Sequence, residues 1–200
     1  MTAKEVCGMK LLEEKILTDG TVLPGNILKV DNFLNHQIDV AFLNKIGEEF
    51  YNIFSSENIT KILTVEASGI AIACAAAQHF NVPVVFAKKG QHKNIGTDCF
   101  TAEVFSFTKG TSYDVTVSKK YLNENDTVLI LDDFLANGQA ALGLMKIIED
   151  AKAKVAGVGI VIEKGFQQGG ALIREKGVRL ESLAIVDSMT DDSISFRSND

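Results

Sequence analysis

Apolar positions along the chain change period several times, and each change marks an element. Val6, Met9, Leu12 and Ile16 recur at helical spacing. Residues 5–17 therefore predict a short helix, which "TDGTVLPGNILKV" breaks with glycines and a proline into an extended segment. Residues 39–54, "DVAFLNKIGEEFYNIF", predict an amphipathic helix with Asp39 as its cap. "KILTVEASGIAIACAAAQHF" runs from a β-rich stretch through a small-residue turn into an alanine-rich helix. "VPVVFAKK" reads as a second strand, and "AEVFSFT" with "YDVTVSK" as a pair of strands around "KGTS". "TVLILDD" is nearly all apolar, a pattern that suits a strand covered on both faces, so it belongs at the centre of a parallel sheet. "GQAALGLMKIIEDA" supplies its helix, "AKVAGVGIVIEK" another buried strand, "GGALIREKG" a short helix and "VRLESLAIV" a last strand.

Strand and helix thus alternate over residues 60–187, which predicts an α/β fold, a doubly wound parallel sheet flanked by helices. No repeat or Pro/Ser-rich linker interrupts the 200 residues, so the chain reads as a single domain with an N-terminal appendage. Sheets of this kind bind ligands at the C-terminal ends of their strands. Both "EASG" and "DDFLANGQA" fall there.

Composition narrows the function classes. With 46% hydrophobic and 23% charged residues the chain has the balance of a soluble globule. No apolar run reaches the ~18 residues of a membrane span, and the N-terminus lacks the apolar centre of a secretory signal, so a cytoplasmic protein is expected. Cys7, Cys74 and Cys99 have neither zinc-knuckle nor redox-pair spacing, and His36, His79 and His92 have no metal spacing. The net charge of −6 argues against a nucleic-acid binder, because phosphate neutralisation needs a surplus of Lys and Arg. Any phosphate held here should be small.

The chemistry concentrates in "VLILDDFLANGQAALGL", Val128 to Leu144. An ionised pair of acids in an apolar interior is costly, so Asp132 and Asp133 are expected to face a cation, hydroxyls or water. Ala136, Asn137, Gly138, Gln139 and Ala140 are small or polar and lead straight into a helix. With few bulky side chains in the way, backbone N–H groups and the positive helix end can converge on a phosphate. The run is neither a Walker loop nor the dinucleotide G-x-G-x-x-G.

Four apolar residues, two acids, two apolar residues and then A-x-G-x-A resemble the phosphoribosyl-pyrophosphate signature of type I phosphoribosyltransferases. The resemblance implies that fold, with the ribose hydroxyls and the magnesium-bound substrate at Asp132 and Asp133 and the 5-phosphate at residues 136–140. Glu66-Ala67-Ser68-Gly69 is similar to the family's pyrophosphate loop, with Ser68 and Gly69 as contacts. "FAKKGQHK" is similar to the start of its mobile flap, here about residues 88–110, where Lys88 and Lys89 would neutralise the leaving pyrophosphate. Mg²⁺ would arrive bound mainly through phosphoribosyl pyrophosphate, and no protein ligand is assigned to it.

"ILKVDNFLNHQID", residues 27–39, and "VIEKGF", residues 161–166, resemble the short bacterial xanthine phosphoribosyltransferases, a likeness running from about residue 11 to residue 187. It implies a homodimer that makes xanthosine 5'-monophosphate from xanthine. It also implies an N-terminal hood, about residues 1–40, with Leu28, Asn35 and Lys164 contacting the purine. The chemistry agrees, since a lysine at a strand end can donate to an exocyclic purine oxygen and an amide can bond the second oxygen that separates xanthine from hypoxanthine. Glu163 is the second candidate for the place of Lys164, and Phe134 and Phe166 either stack on the base or belong to the core. Guanine, hypoxanthine or adenine specificity stays open. So does a non-catalytic purine-sensing regulator, although the residues before Lys61 are too few and too acidic for the winged helix of such proteins. Ala136 departs from the hypoxanthine-guanine relatives, which carry there an aspartate thought to manage a proton of the purine.

Overall fold

The protein is described by a computed structural model that covers residues 9–90, 98–106, 110–190 and 193–197. The first helix, α1 (Lys10–Asp19), turns Leu12 and Ile16 inward, and residues 5–8 of the expected helix lie outside the described residues. The extended segment that follows is an antiparallel hairpin of β1 (Thr21–Leu23) and β2 (Ile27–Lys29). Gly25 and Asn26 reverse it at φ 85° and 60°, the left-handed region that glycine and asparagine tolerate best. Asp31–Asn35 then make one wide helical turn, in which the His36 N–H donates to the Asp31 carbonyl and Phe33 and Leu34 are buried. Helix α2 (Val40–Phe54) starts where expected, with the Phe42 N–H donating to the Asp39 carboxylate.

Strand β3 (Lys61–Val65), helix α3 (Ser68–Phe80) and strand β4 (Val84–Lys89) form a parallel β-α-β unit. Strands β5 (Cys99–Ser106) and β6 (Thr111–Ser118) form a long antiparallel pair. Strand β7 (Thr127–Leu135), helix α4 (Gln139–Asp150), strand β8 (Lys154–Lys164), helix α5 (Gly169–Glu175) and strand β9 (Leu180–Thr190) continue the alternation. The chain turns back as β10 (Ser193–Phe196), a strand the sequence reading did not anticipate because "SISF" is short and half polar.

Among the described residues one sheet has the order β10-β9-β8-β7-β3-β4-β6-β5. Its five middle strands are parallel, and antiparallel strands close both edges. Helices α1, α2 and α3 cover one face with Phe50, Phe54 and Ile72 in the core, while α4 and α5 cover the other with Leu144, Ile147 and Ile173. The apolar reading of residues 128–131 is explained by this double cover, since all four are fully buried. The order of the connections reverses between β3 and β7, which opens a crevice at their C-terminal ends. No helix among the described residues is long and apolar enough to cross a membrane.

Candidate active site

Alternation along β7 separates its two acids. Asp132 is 6% exposed and Asp133 is half-buried, so the two acids meet different surroundings although both were expected to face a cation, hydroxyls or water. Asp132 Oδ1 accepts the N–H of Asp133 at 3.0 Å. Burial and the neighbouring Asp133 hold the Asp132 carboxyl well above the ordinary aspartate range, with Lys89 opposing them. A buried carboxyl that can keep its proton escapes much of the cost of burying an ion, which is why the core tolerates it.

The loop before α3 comes down onto this acid. A Cβ on Gly69 would lie 2.0 Å from Thr64 Oγ1 and 3.1 Å from Asp132 Oδ1, so only glycine lets the start of the helix approach so closely. Glu66 Oε1 accepts the N–H of Lys89 at 2.7 Å, and the Glu66–Ala67 peptide is cis. Ser68 and Gly69 therefore share one end of the crevice with Asp132. The structure parts the two lysines. Lys89 sets its charge toward Asp132 and its Nζ 5.9 Å from the Tyr113 ring centre. Lys88 lines a separate groove with Lys61, Phe86 and Tyr121. Residues 91–97 and 107–109 of the expected flap lie outside the described residues.

Residues 136–140 make a tight passage from β7 into α4. Gly138 stands at φ 79°, where a Cβ would meet Gly169 Cα at 3.0 Å, and the Gly169 N–H donates to the Ala136 carbonyl at 3.0 Å. No side chain caps α4, and its first residues line a cleft of about 180 Å³ together with Asp132 and the whole 136–140 loop. Uncapped N–H groups and a positive helix end facing a cleft can receive a phosphate. Phe105, Ser106 and Tyr113 line the same cleft, and the sequence reading missed all three. They reach it only because β6 pairs with β4, a long-range contact with no local signal. Burial, and then Asp132, push the Tyr113 hydroxyl up from its usual pKa.

The purine candidates come to the same crevice from two directions. Asn35, at the end of the wide helical turn, donates its Nδ2 to Asp133 Oδ2 at 2.7 Å. Lys164, the last residue of β8, donates its Nζ to the Asn26 carbonyl of the hairpin at 2.9 Å and lies 6.0 Å from the Phe134 ring centre. Half-burial lowers the pKa of this lysine. Leu28 is 7% exposed, with its side chain in the core. Glu163 does not compete for the place of Lys164. It is buried on the other face, accepts two hydrogen bonds from Arg174 at 3.0 and 3.1 Å and a third from Ser182 at 2.6 Å. Phe134 packs partly against the core, while Phe166 is 39% exposed beside Lys164.

Residues 30–187 match the family described as the phosphoribosyl transferase domain. The chain belongs to the phosphoribosyltransferase family. A curated xanthine phosphoribosyltransferase of Ruminiclostridium cellulolyticum is 60% identical over 188 residues, covering 94% of this chain and 99% of the relative. That of Clostridioides difficile is 60% identical over 190 residues, covering 94% of this chain and all of the relative, 100%. Among solved structures, adenine phosphoribosyltransferase of Trypanosoma brucei superimposes with a TM-score of 0.76 at 18% identity, over 90% of this chain and 82% of that one. That of Leishmania tarentolae gives 0.72 at 19%, over 90% and 89%. At such identities the likeness is one of fold, the type I phosphoribosyltransferase sheet with its flanking helices.

Proposed function

We propose that the protein transfers the 5-phosphoribosyl group of phosphoribosyl pyrophosphate to N9 of xanthine, releasing pyrophosphate and xanthosine 5'-monophosphate in purine salvage. Near-full-length likeness to xanthine phosphoribosyltransferases supports the class of reaction and the base. The observation that carries the site is the 2.7 Å bond between Asn35 and Asp133, which joins the base-recognition segment to the sugar acids across one crevice.

In this reading Asp132 and Asp133 receive the ribose hydroxyls, residues 136–140 and the α4 N-terminus hold the 5-phosphate, and Ser68 and Gly69 with Lys89 attend the pyrophosphate, while Lys88 faces a separate groove and takes no part. Lys164 and Asn35 recognise the purine, with Leu28 contributing from the hairpin, and Lys164 sits above Phe134 on the floor of the base site. The bond from ribose C1 to the pyrophosphate oxygen breaks as the bond to N9 forms, and the sugar carries positive charge at the summit of the barrier. Carboxylates beside the sugar stabilise that charge, and cations at the leaving group stabilise the other half. No covalent nucleophile is needed. Two crowded carboxyls sit by the place of the diphosphate, an oxygen-rich setting that suits a Mg²⁺ brought in by the substrate. Mg²⁺ arriving with phosphoribosyl pyrophosphate would supply charge neutralisation to the leaving group.

We read the chain as one domain, residues 1–200, with a hood over about 1–40 and a flap over about 88–110. The enzyme works in the cytoplasm as a homodimer, and sedimentation of the purified chain checks the second point. Pyrophosphate release with xanthine, guanine, hypoxanthine, adenine and orotate tests the function. Clear excess with xanthine and none with adenine or orotate is expected; equal kcat/KM for hypoxanthine and xanthine would refute the specificity.

A further inference from the structure

Thr64 sets a hydroxyl within the buried run of β3, Ile62 to Val65, where a valine would fill the same space and suit the strand as well. It is 0% exposed, and its Oγ1 has no hydrogen-bond partner. A buried hydroxyl without an acceptor is costly, so such a group needs a reason. Its neighbourhood supplies one. Thr64 Oγ1 and Asp132 Oδ1 both crowd the position of a Cβ on Gly69, at 2.0 and 3.1 Å. They are therefore separated by about 5 Å at most, a gap that a small rotation or one bound water closes.

We infer that Thr64 is a positioning residue for Asp132: its hydroxyl donates to the Asp132 carboxylate, directly or across one water, and holds it as a charged acceptor for the ribose. The inference rests on the reading of Asp132 as a ribose acid. The groups facing Asp132 explain why it needs a neutral donor. Asp133 on β7 repels it, Tyr113 on β6 keeps its own proton more tightly through burial and then because of it, and Lys89 on β4 is its cationic neighbour. Gly69 on α3 brings no side chain at all. A hydroxyl beneath the carboxylate favours the charged form without adding a charge that would compete for the substrate. The helix start over Thr64 keeps bulk solvent away, so the contact works in a water-poor site.

The test compares Thr64→Val with Thr64→Ser. The first readout is the carboxyl titration of Asp132 in the ligand-free protein, followed by NMR of ¹³C-labelled aspartate and assigned with Asp132→Asn. Thr64→Val is expected to raise the Asp132 titration by about one pH unit, the usual consequence of losing a donor to a carboxylate, and Thr64→Ser to restore it. The second readout is the acid limb of kcat/KM for phosphoribosyl pyrophosphate. It should move up by the same amount in Thr64→Val and return in Thr64→Ser, since the ionisations of the substrates are common to all variants. If Thr64→Val titrates like the wild type, the inference is overturned. A carboxyl shift with an unmoved acid limb leaves the contact standing and overturns the role of Asp132. Should Thr64→Val fail to fold, Thr64→Ala removes the same hydroxyl and is judged by the same titration.

Discussion

Asn35 and Asp133 meet through a 2.7 Å hydrogen bond from amide Nδ2 to carboxylate Oδ2, although 98 positions separate them in the chain. An ionised carboxylate only accepts, so it fixes which way the amide turns and leaves Asn35 Oδ1 for other groups. Asn35→Asp is expected to be worse than Asn35→Ala. The new carboxylate would face Asp133 and add a third negative charge beside Asp132. Steady-state kinetics with xanthine check it: Asn35→Ala should mainly lose discrimination against hypoxanthine, and Asn35→Asp should lose turnover with every base. Equal kinetics for the two variants would mean that the contact with Asp133 has no bearing on catalysis.

Lys164→Met is expected to lower kcat/KM for xanthine about ten- to a hundredfold, the ~1.5–3 kcal/mol of a charge-assisted hydrogen bond. Binding of phosphoribosyl pyrophosphate should hardly change. Calorimetry distinguishes the alternatives, because collapse of that affinity would move the lysine to the phosphate site.

The raised pKa of Asp132 makes a stability prediction with a definite sign. A carboxyl that binds its proton more tightly folded than unfolded costs nothing below the unfolded value, ~4. As pH rises from there through the raised value, the folded state gives up stability. Asp132→Asn keeps an oxygen for the Asp133 N–H but carries no charge. It is therefore expected to be more stable than the wild type at pH 8, with the gap closing toward pH 4. Paired denaturant melts at the two pH values measure it, and a gap that widened in acid would contradict the buried-acid reading.

Ala136 lines the cleft beside Asp132 and offers no carboxylate there to take up a purine proton. Xanthine ionises near neutrality, and a desolvated Lys164 favours an anionic partner. With xanthine, kcat/KM is expected to rise through the ionisation of the base and then level. It should fall again where Lys164, its pKa lowered by burial, loses its proton. Ala136→Asp is expected not to help xanthine and to hurt it, since a carboxylate repels the anion. A non-ionising purine analogue that gave the same rising limb would assign that limb to the enzyme.

Much of the architecture was legible because its signals are local. The change of period at residues 39–54, the Asp39 cap and the doubly covered strand at 127–135 need only nearest neighbours along the chain to declare themselves. The acid pair and the small-residue loop were legible for the same reason, being contiguous. The hairpin at 21–29 and the returning strand at 193–196 were harder, since short half-polar strands are stabilised by pairing more than by pattern.

Sequence was enough to place the acids, the small-residue loop and Lys164 at strand ends, because alternation and strand length follow from side-chain burial. Which acid is buried, which lysine turns toward it and which hydroxyl lies beneath it were decided only by the packed chain. Asp132 and Asp133 are neighbours of the same type, yet the pleat sends one inward and leaves the other to meet Asn35. Lys88 and Lys89 divide in the same way along β4. Thr64, Tyr113 and Asn26 carry no local mark of function, and they matter because strand pairing and the hairpin bring them to the crevice. Their roles depend on distances across the fold, and a linear pattern contains none of those distances.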